Sequence, residues 1–195
     1  MSPRPPCLEC GERGVTIGVT LTGRLSLATS VEAALTLGAQ KRTWERRWQD
    51  AQDHLARLLN PRTEPLGSAA IHAAHAELQA WYIQTYHLKD SLKEASGPTG
   101  VRSQTIETAI TNDPDLALLA DLANLDKHGR LSKEPRSGHI PQVVGVRGIT
   151  RSGSVSRGWL LQVVIEHGGN HIDGLETAKR SLAAWRRALK HWGLV

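Results

Sequence analysis

Residues 112–129 read Asn112-Asp113-Pro114-Asp115-Leu116-Ala117-Leu118-Leu119-Ala120-Asp121-Leu122-Ala123-Asn124-Leu125-Asp126-Lys127-His128-Gly129, and this stretch decides the fold. A capping side chain followed by proline at the first helical position marks a helix start, because the N–H that proline lacks is one a helix leaves unpaired anyway. The helix runs to about His128, where Gly129 closes it by taking the left-handed turn that glycine adopts at little cost. The middle of the chain is therefore a helix of Leu and Ala between two clear stops.

Upstream, Trp44, Trp48, Ala51, Leu55 and Leu58 recur at steps of 4, 3, 4 and 3, one apolar stripe on a helix stopped by Asn60-Pro61. A longer helix is expected from Ser68 to Gly97-Pro98, with Ile71, Ala74, Leu78, Trp81, Thr85, Leu88 and Leu92 on one face, antiparallel to the first. A short helix follows from Ser103 to Ile110. Downstream, residues 132–158 are rich in Gly, Ser, Pro and Arg, with Gln142 to Val146 reading as an edge strand. Trp159 to Ile165 reads as a more buried strand before the Gly168-Gly169-Asn170 turn. The chain closes on a helix whose apolar positions Leu175, Ala178, Leu182, Trp185, Leu189 and Trp192 step by 3, 4, 3, 4 and 3. Its opposite face carries Lys179, Arg180, Arg186, Arg187 and Lys190.

At the other end, three prolines within residues 2–6 lead into Cys7-Leu8-Glu9-Cys10-Gly11, and Val15, Ile17, Val19 and Leu21 alternate as in a strand with one buried face. The fold class these patterns imply is α+β. An antiparallel helix bundle forms the core, with small antiparallel strands from the N-terminal region and from residues 140–166, closed by the C-terminal amphipathic helix. The expected division is residues 1–39, an arm with strands, and residues 40–195, a helical domain carrying an inserted β-hairpin at 131–173.

Composition bounds the function classes. With 39% hydrophobic and 22% charged residues the chain has enough apolar surface for a core and is neither fibrous nor disordered. It contains no apolar run of about 18 residues and no basic-then-apolar leader, so neither a membrane span nor a secretory signal is expected and the expected address is the cytoplasm. The net charge of +5 is unevenly spread: residues 1–65 carry 9 basic and 7 acidic side chains, residues 66–126 carry 3 and 8, and residues 127–195 carry 12 and 4. An acidic centre thus precedes a basic tail. Signatures of a phosphate-binding P-loop, a dinucleotide fold, a His-Glu-x-x-His metalloprotease and a Gly-x-Ser-x-Gly hydrolase are all missing.

Three constellations carry chemistry. Cys7 and Cys10, two residues apart and followed by Gly11, have the spacing of half a zinc knuckle. A closed site would need His54, His72, His75 or the cysteines of a second subunit; a redox pair and a plain turn are the other readings. Tyr82, Tyr86, Asp90 and Lys93 share one flank of the second helix, where a Tyr86 to Asp90 hydrogen bond is the simplest expectation. Asp121, Asn124 and His128 fall at i, i+3 and i+7 on the central helix, away from Leu118, Leu122 and Leu125. A carboxylate beside an imidazole raises its pKa and fixes its tautomer, which suits acid–base chemistry on a phosphodiester. Alternatively His128, Lys127 and Arg130 simply match the negative end of the helix dipole. His167 and His171 flank a loop and are expected to be exposed.

Asn124-Leu125-Asp126-Lys127-His128, ending a helix that packs on one bearing Tyr86-His87-Leu88-Lys89-Asp90, resembles the signature end of the HEPN superfamily of helical domains. Many of its members are metal-independent ribonucleases of toxin, phage-defence and RNA-processing systems, acting as dimers whose paired motifs line a basic cleft. The family motif is an arginine, a polar residue that is often asparagine, a few residues, then histidine. Asn124 and His128 match it, while Ala123 stands at the arginine position, and the resemblance covers roughly residues 40–130.

The resemblance implies an RNA-binding protein or ribonuclease. His128 would be the general acid–base, Asn124 would orient it, Asp121 would tune it, and Lys127 and Lys89 would hold phosphate. Arg130, Arg147, Arg151 and Arg157 would add electrostatic attraction. A homodimer is the implied assembly, and zinc at Cys7 and Cys10 is the one cofactor the residues suggest. The alternative class is a non-catalytic, homo-oligomeric scaffold in which the acidic centre of one copy faces the basic end of another. A third reading, a DNA-binding regulator, lacks a helix-turn-helix signature.

Overall fold

The computed structural model describes residues 43–129, 131, 133–150 and 158–195. The strand pattern at 15–22, the Cys7 and Cys10 pair, Arg130, Arg151 and Arg157 lie outside the described residues.

The first helix, α1 (Trp44–Leu59), buries Trp44, Trp48, Ala51, Leu55 and Leu58, the stripe its spacing predicts, and Thr43 caps it by accepting the Arg46 N–H. The next, α2 (Ser68–Tyr86), packs against it, and the buried Trp81 indole donates to the Ala51 carbonyl at 2.9 Å. The single long helix expected from Ser68 to Gly97 is instead three: α2, α3 (Leu88–Glu94) and the one-turn α4 (Ser96–Thr99). The break falls at His87 (φ −67°, ψ −7°), whose carbonyl accepts the Asp90 N–H at 3.1 Å in a tighter turn and whose Nδ1 lies 2.6 Å from Asp90 Oδ2. The apolar register survives the break, because Leu88 and Leu92 are fully buried.

After α5 (Ser103–Asn112) comes α6 (Pro114–His128), which begins and ends as its punctuation predicts. Asp113 accepts the N–H groups of Asp115 and Leu116, and Gly129 takes φ 67° with its N–H on the Leu125 carbonyl. What the periodicity does not reveal is that residues 116–123 are all buried, Asp121 included. The helix is the hub of the bundle, packed by α2, by α5 and by the last helix, α7 (Gly174–His191).

Three antiparallel strands lie between α6 and α7: β1 (Gln142–Thr150), β2 (Trp159–His167) and β3 (Asn170–Asp173), in the order β1-β2-β3. β2 is central and buries Trp159, Leu161, Val163 and Ile165 at period two, facing α7 and α2. The first strand is longer than its expected Gln142 to Val146 and contains a register shift between Val143 and Gly145. β3 is too short and too polar to stand out in the sequence; it forms because Gly168 and Gly169, both at positive φ, return the chain onto β2. The fold is therefore α+β, mainly helical, with one small sheet among the described residues. Among the described residues no helix is long and apolar enough to cross a membrane.

Candidate functional site

The polar residues of the last two turns of α6 emerge between the α2–α3 junction and the segment 131–139. Asp121 is the best-held of them. Its carboxylate is 2% exposed and accepts three hydrogen bonds, from Arg136 N–H at 3.1 Å, Ser137 N–H at 2.8 Å and Ser137 Oγ at 2.7 Å. A buried charge of this kind is stable only when donors surround it, and here they come from a segment some 15 residues downstream. Asp121 and His128 are two helical turns apart, about 10 Å along the axis, and no bond joins them. Asp121 therefore anchors the 133–139 segment.

That anchored segment builds the walls of a depression of about 240 Å³ lined by Asp121, Asn124, His128, Leu131, Lys133, Glu134 and Arg136. The strip Asp121, Asn124 and His128 thus does share one concave surface. A second, smaller hollow of about 140 Å³ lies on the other side of Asn124, and there Lys89, Tyr86 and His87 from the α2–α3 junction meet Ala123, Asn124 and Lys127. Asn124 lines both hollows, half-buried, and its amide makes no hydrogen bond among the described residues.

The cations around it are organised by Glu107 on α5. Its carboxylate is bonded by Lys93 and by Arg136 Nη2 at 2.8 Å, with Lys89 Nζ 3.7 Å away. Burial alone would raise the Glu107 pKa, but the hydrogen bonds from Lys93 and Arg136 and the charge of Lys89 hold it at about 2. One carboxylate therefore serves three cations. Lys89 also donates to Tyr86 Oη at 2.7 Å and lies 4.1 Å from the centre of that ring. In place of the Tyr86 to Asp90 bond expected from helical spacing, Tyr86 Oη accepts from Lys89 and Asp90 lies against His87.

Arg147 is placed elsewhere, exposed at mid-β1, where its Nε donates to Gln162 Oε1 at 2.6 Å, and it lines neither hollow. His167, expected to be exposed, is half-buried, with Nε2 2.9 Å from Ser137 Oγ and its ring edge-on to His139. His171 is exposed as its loop position implies. Arg136, Lys133 and Glu107 escape sequence reasoning because the tie from Arg136 to Glu107 spans 29 residues and has no local periodicity. Among the described residues no group of three or more His, Cys, Asp or Glu side chains could hold a metal ion.

The basic face of α7 is bound within the chain. Arg187 Nη2 lies 2.9 Å from Asp113 Oδ2, Arg180 Nε 3.4 Å from Asp115 Oδ1, and Arg186 donates to Gln52 at 2.9 Å. The acidic start of α6 and the basic end of the chain thus match inside one copy. No family model, no curated protein and no solved structure matches this chain.

Proposed function

We propose that the end of α6 is the RNA-directed site of a HEPN-like protein, with phosphodiester as its ligand and His128 as its acid–base group. The observation that carries this reading is the setting of Asn124, a half-buried amide without a hydrogen bond among the described residues, at the meeting of two hollows lined by Lys89, Lys127, Lys133 and Arg136. Lys89 shares the smaller hollow with Ala123, the position at which the family carries its arginine, so a cation from the facing helix stands beside the place where the motif lacks one.

Exposed His128 at the rim has the chemistry for strand cleavage without a metal. Its neutral imidazole takes the proton of a ribose 2′-hydroxyl, whose oxygen attacks the adjacent phosphorus. The bond from phosphorus to the 5′-oxygen breaks, and the imidazolium returns the proton to that oxygen. The products are a 2′,3′-cyclic phosphate and a 5′-hydroxyl. Lys89 and Lys127 neutralise the phosphate through this exchange, and Asn124 orients it by hydrogen bonding.

A scaffold that pairs acidic and basic ends between copies is less favoured, since those ends are already matched within the chain. Purified protein and its His128→Ala variant are to be incubated with total RNA and, separately, titrated with labelled single-stranded RNA at several salt concentrations. Cleavage by the parent alone supports the ribonuclease; equal cleavage, or none in either, removes it. RNA affinity that does not fall with salt removes the RNA-directed reading altogether.

A further inference from the structure

A third cleft opens on the opposite flank of α6, between α2, the end of α6 and the sheet, and the chemistry above does not use it. Its volume is about 310 Å³, at the lower end of the range of small-molecule sites. Leu122, Leu125, Pro141, Val143 and Val163 give it apolar walls. Its polar groups are His75, Gln79 and Asp126, with the hydroxyl of Tyr82 turned away to donate to the Gly174 carbonyl at 2.8 Å. An apolar cleft carrying a few polar groups suits a heteroaromatic ring whose edge is read by hydrogen bonds.

The donor and acceptor pattern narrows the ring. Gln79 Nε2 donates to Asp126 Oδ1 at 2.5 Å, which fixes the orientation of the amide, because only its nitrogen can donate to a carboxylate. Two acceptors then remain without a hydrogen bond among the described residues, Gln79 Oε1 and Asp126 Oδ2. An edge complementary to two acceptors presents two N–H donors. Guanine has that pair in N1–H and its exocyclic amino group. Adenine and cytosine each set an acceptor nitrogen beside their single amino group, and uracil has one N–H between two carbonyls. A neutral imidazole at His75 supplies an N–H for the guanine O6.

We propose that this cleft binds a guanine base, with Asp126 and Gln79 accepting from its N1–H and amino group and His75 donating to its carbonyl. In taking a nucleobase as ligand the inference rests on the RNA-directed reading, and it gives that reading a specificity. Asp126 lies two residues from both Asn124 and His128, on the opposite flank of the same helix end.

The test is calorimetric titration of the full chain with the four ribonucleoside monophosphates, and with an all-adenine oligoribonucleotide compared with the same strand carrying one guanine. The guanine nucleotide should bind about tenfold or more tightly than the other three, as expected for a two-point edge contact. Asp126→Ala, at an exposed position, should abolish that preference without moving the thermal midpoint. Equal affinity for all four nucleotides, or a preference unchanged in Asp126→Ala, overturns the assignment. Guanine-nucleotide binding without binding of either oligonucleotide supports the cleft as a free-nucleotide site while the RNA-directed reading fails. Oligonucleotide binding indifferent to guanine, with no nucleotide bound, overturns the cleft and leaves that reading standing.

Discussion

Asp121 and Ser137 are joined twice: the same carboxylate oxygen, Asp121 Oδ2, accepts the backbone N–H of Ser137 at 2.8 Å and its hydroxyl at 2.7 Å. Because the hydroxyl proton is directed at the carboxylate, Ser137 Oγ meets His167 Nε2 as an acceptor at 2.9 Å. Three parts of the chain, α6, the 133–139 segment and β2, are tied at one part-buried point.

Removing the carboxylate should therefore loosen that whole segment. Asp121→Ala strands two backbone N–H groups and a hydroxyl in a buried setting, where hydrogen bonds to a charged group contribute about 1.5–3 kcal/mol. We expect a loss of about 3 kcal/mol in urea unfolding, with new protease cleavage within residues 133–139. A loss below about 1 kcal/mol would show that the segment is held by other contacts.

Much of this architecture is legible in the chain, and the illegible parts share a cause. The stripes of α1 and α7 and the Asp113-Pro114 and Gly129 limits of α6 are local patterns, and local patterns suffice to form them. Asp121, by contrast, sits at i, i+3 and i+7 with Asn124 and His128, a spacing that reads as a polar surface strip. Its burial is decided by a segment some 15 residues away whose sequence has no period of its own. The break at His87 is hidden for the opposite reason: Leu88 and Leu92 keep the apolar register, so periodicity cannot register a single tighter turn of the backbone. Of the candidate site, the strip on α6 and the lysines Lys89 and Lys127 are legible, while Arg136 and Glu107 join it through a tie across 29 residues that has no local period.

Acid should weaken the fold in two steps. Burial lowers the pKa of His54 below its ordinary 6.5, helped by the charge of Arg57. Burial likewise lowers His75, with Asp126 opposing and His72 assisting. A group whose folded pKa is depressed adds stability above its unfolded pKa and loses it as pH falls, so the first decline begins below pH 6.5. Glu107, held at about 2 against an ordinary 4.5, gives the second, between those two values. Thermal midpoints recorded from pH 8 to pH 2 should show both, and Glu107→Gln should remove only the lower one.

Reversing the charge of Arg187 separates intrachain pairing from pairing between copies. In Arg187→Glu a carboxylate meets Asp113 and Asp115 at the start of α6, where negative charge is already concentrated. Arg187 is well exposed, so the cost is modest, about 1 kcal/mol, and it should shrink as salt screens the repulsion. Sedimentation should give the same particle mass for parent and variant. A change of mass with unchanged stability would mean that the basic face of α7 serves another copy.

Lys127 offers the cleanest probe of the proposed phosphate site, because it is exposed and forms no ion pair among the described residues, whereas Arg136 and Lys89 are tied to Glu107. Lys127→Ala should leave the thermal midpoint within the error of measurement. On single-stranded RNA each neutralised phosphate contributes about 0.7 to the slope of log affinity against log salt. The parent, with Lys89, Lys127, Lys133 and Arg136 engaged, should therefore show a slope of about −3, and the variant a slope flatter by about 0.7 with weaker binding at low salt. Identical slopes would remove Lys127 from the interface and, with it, the smaller hollow as a phosphate site.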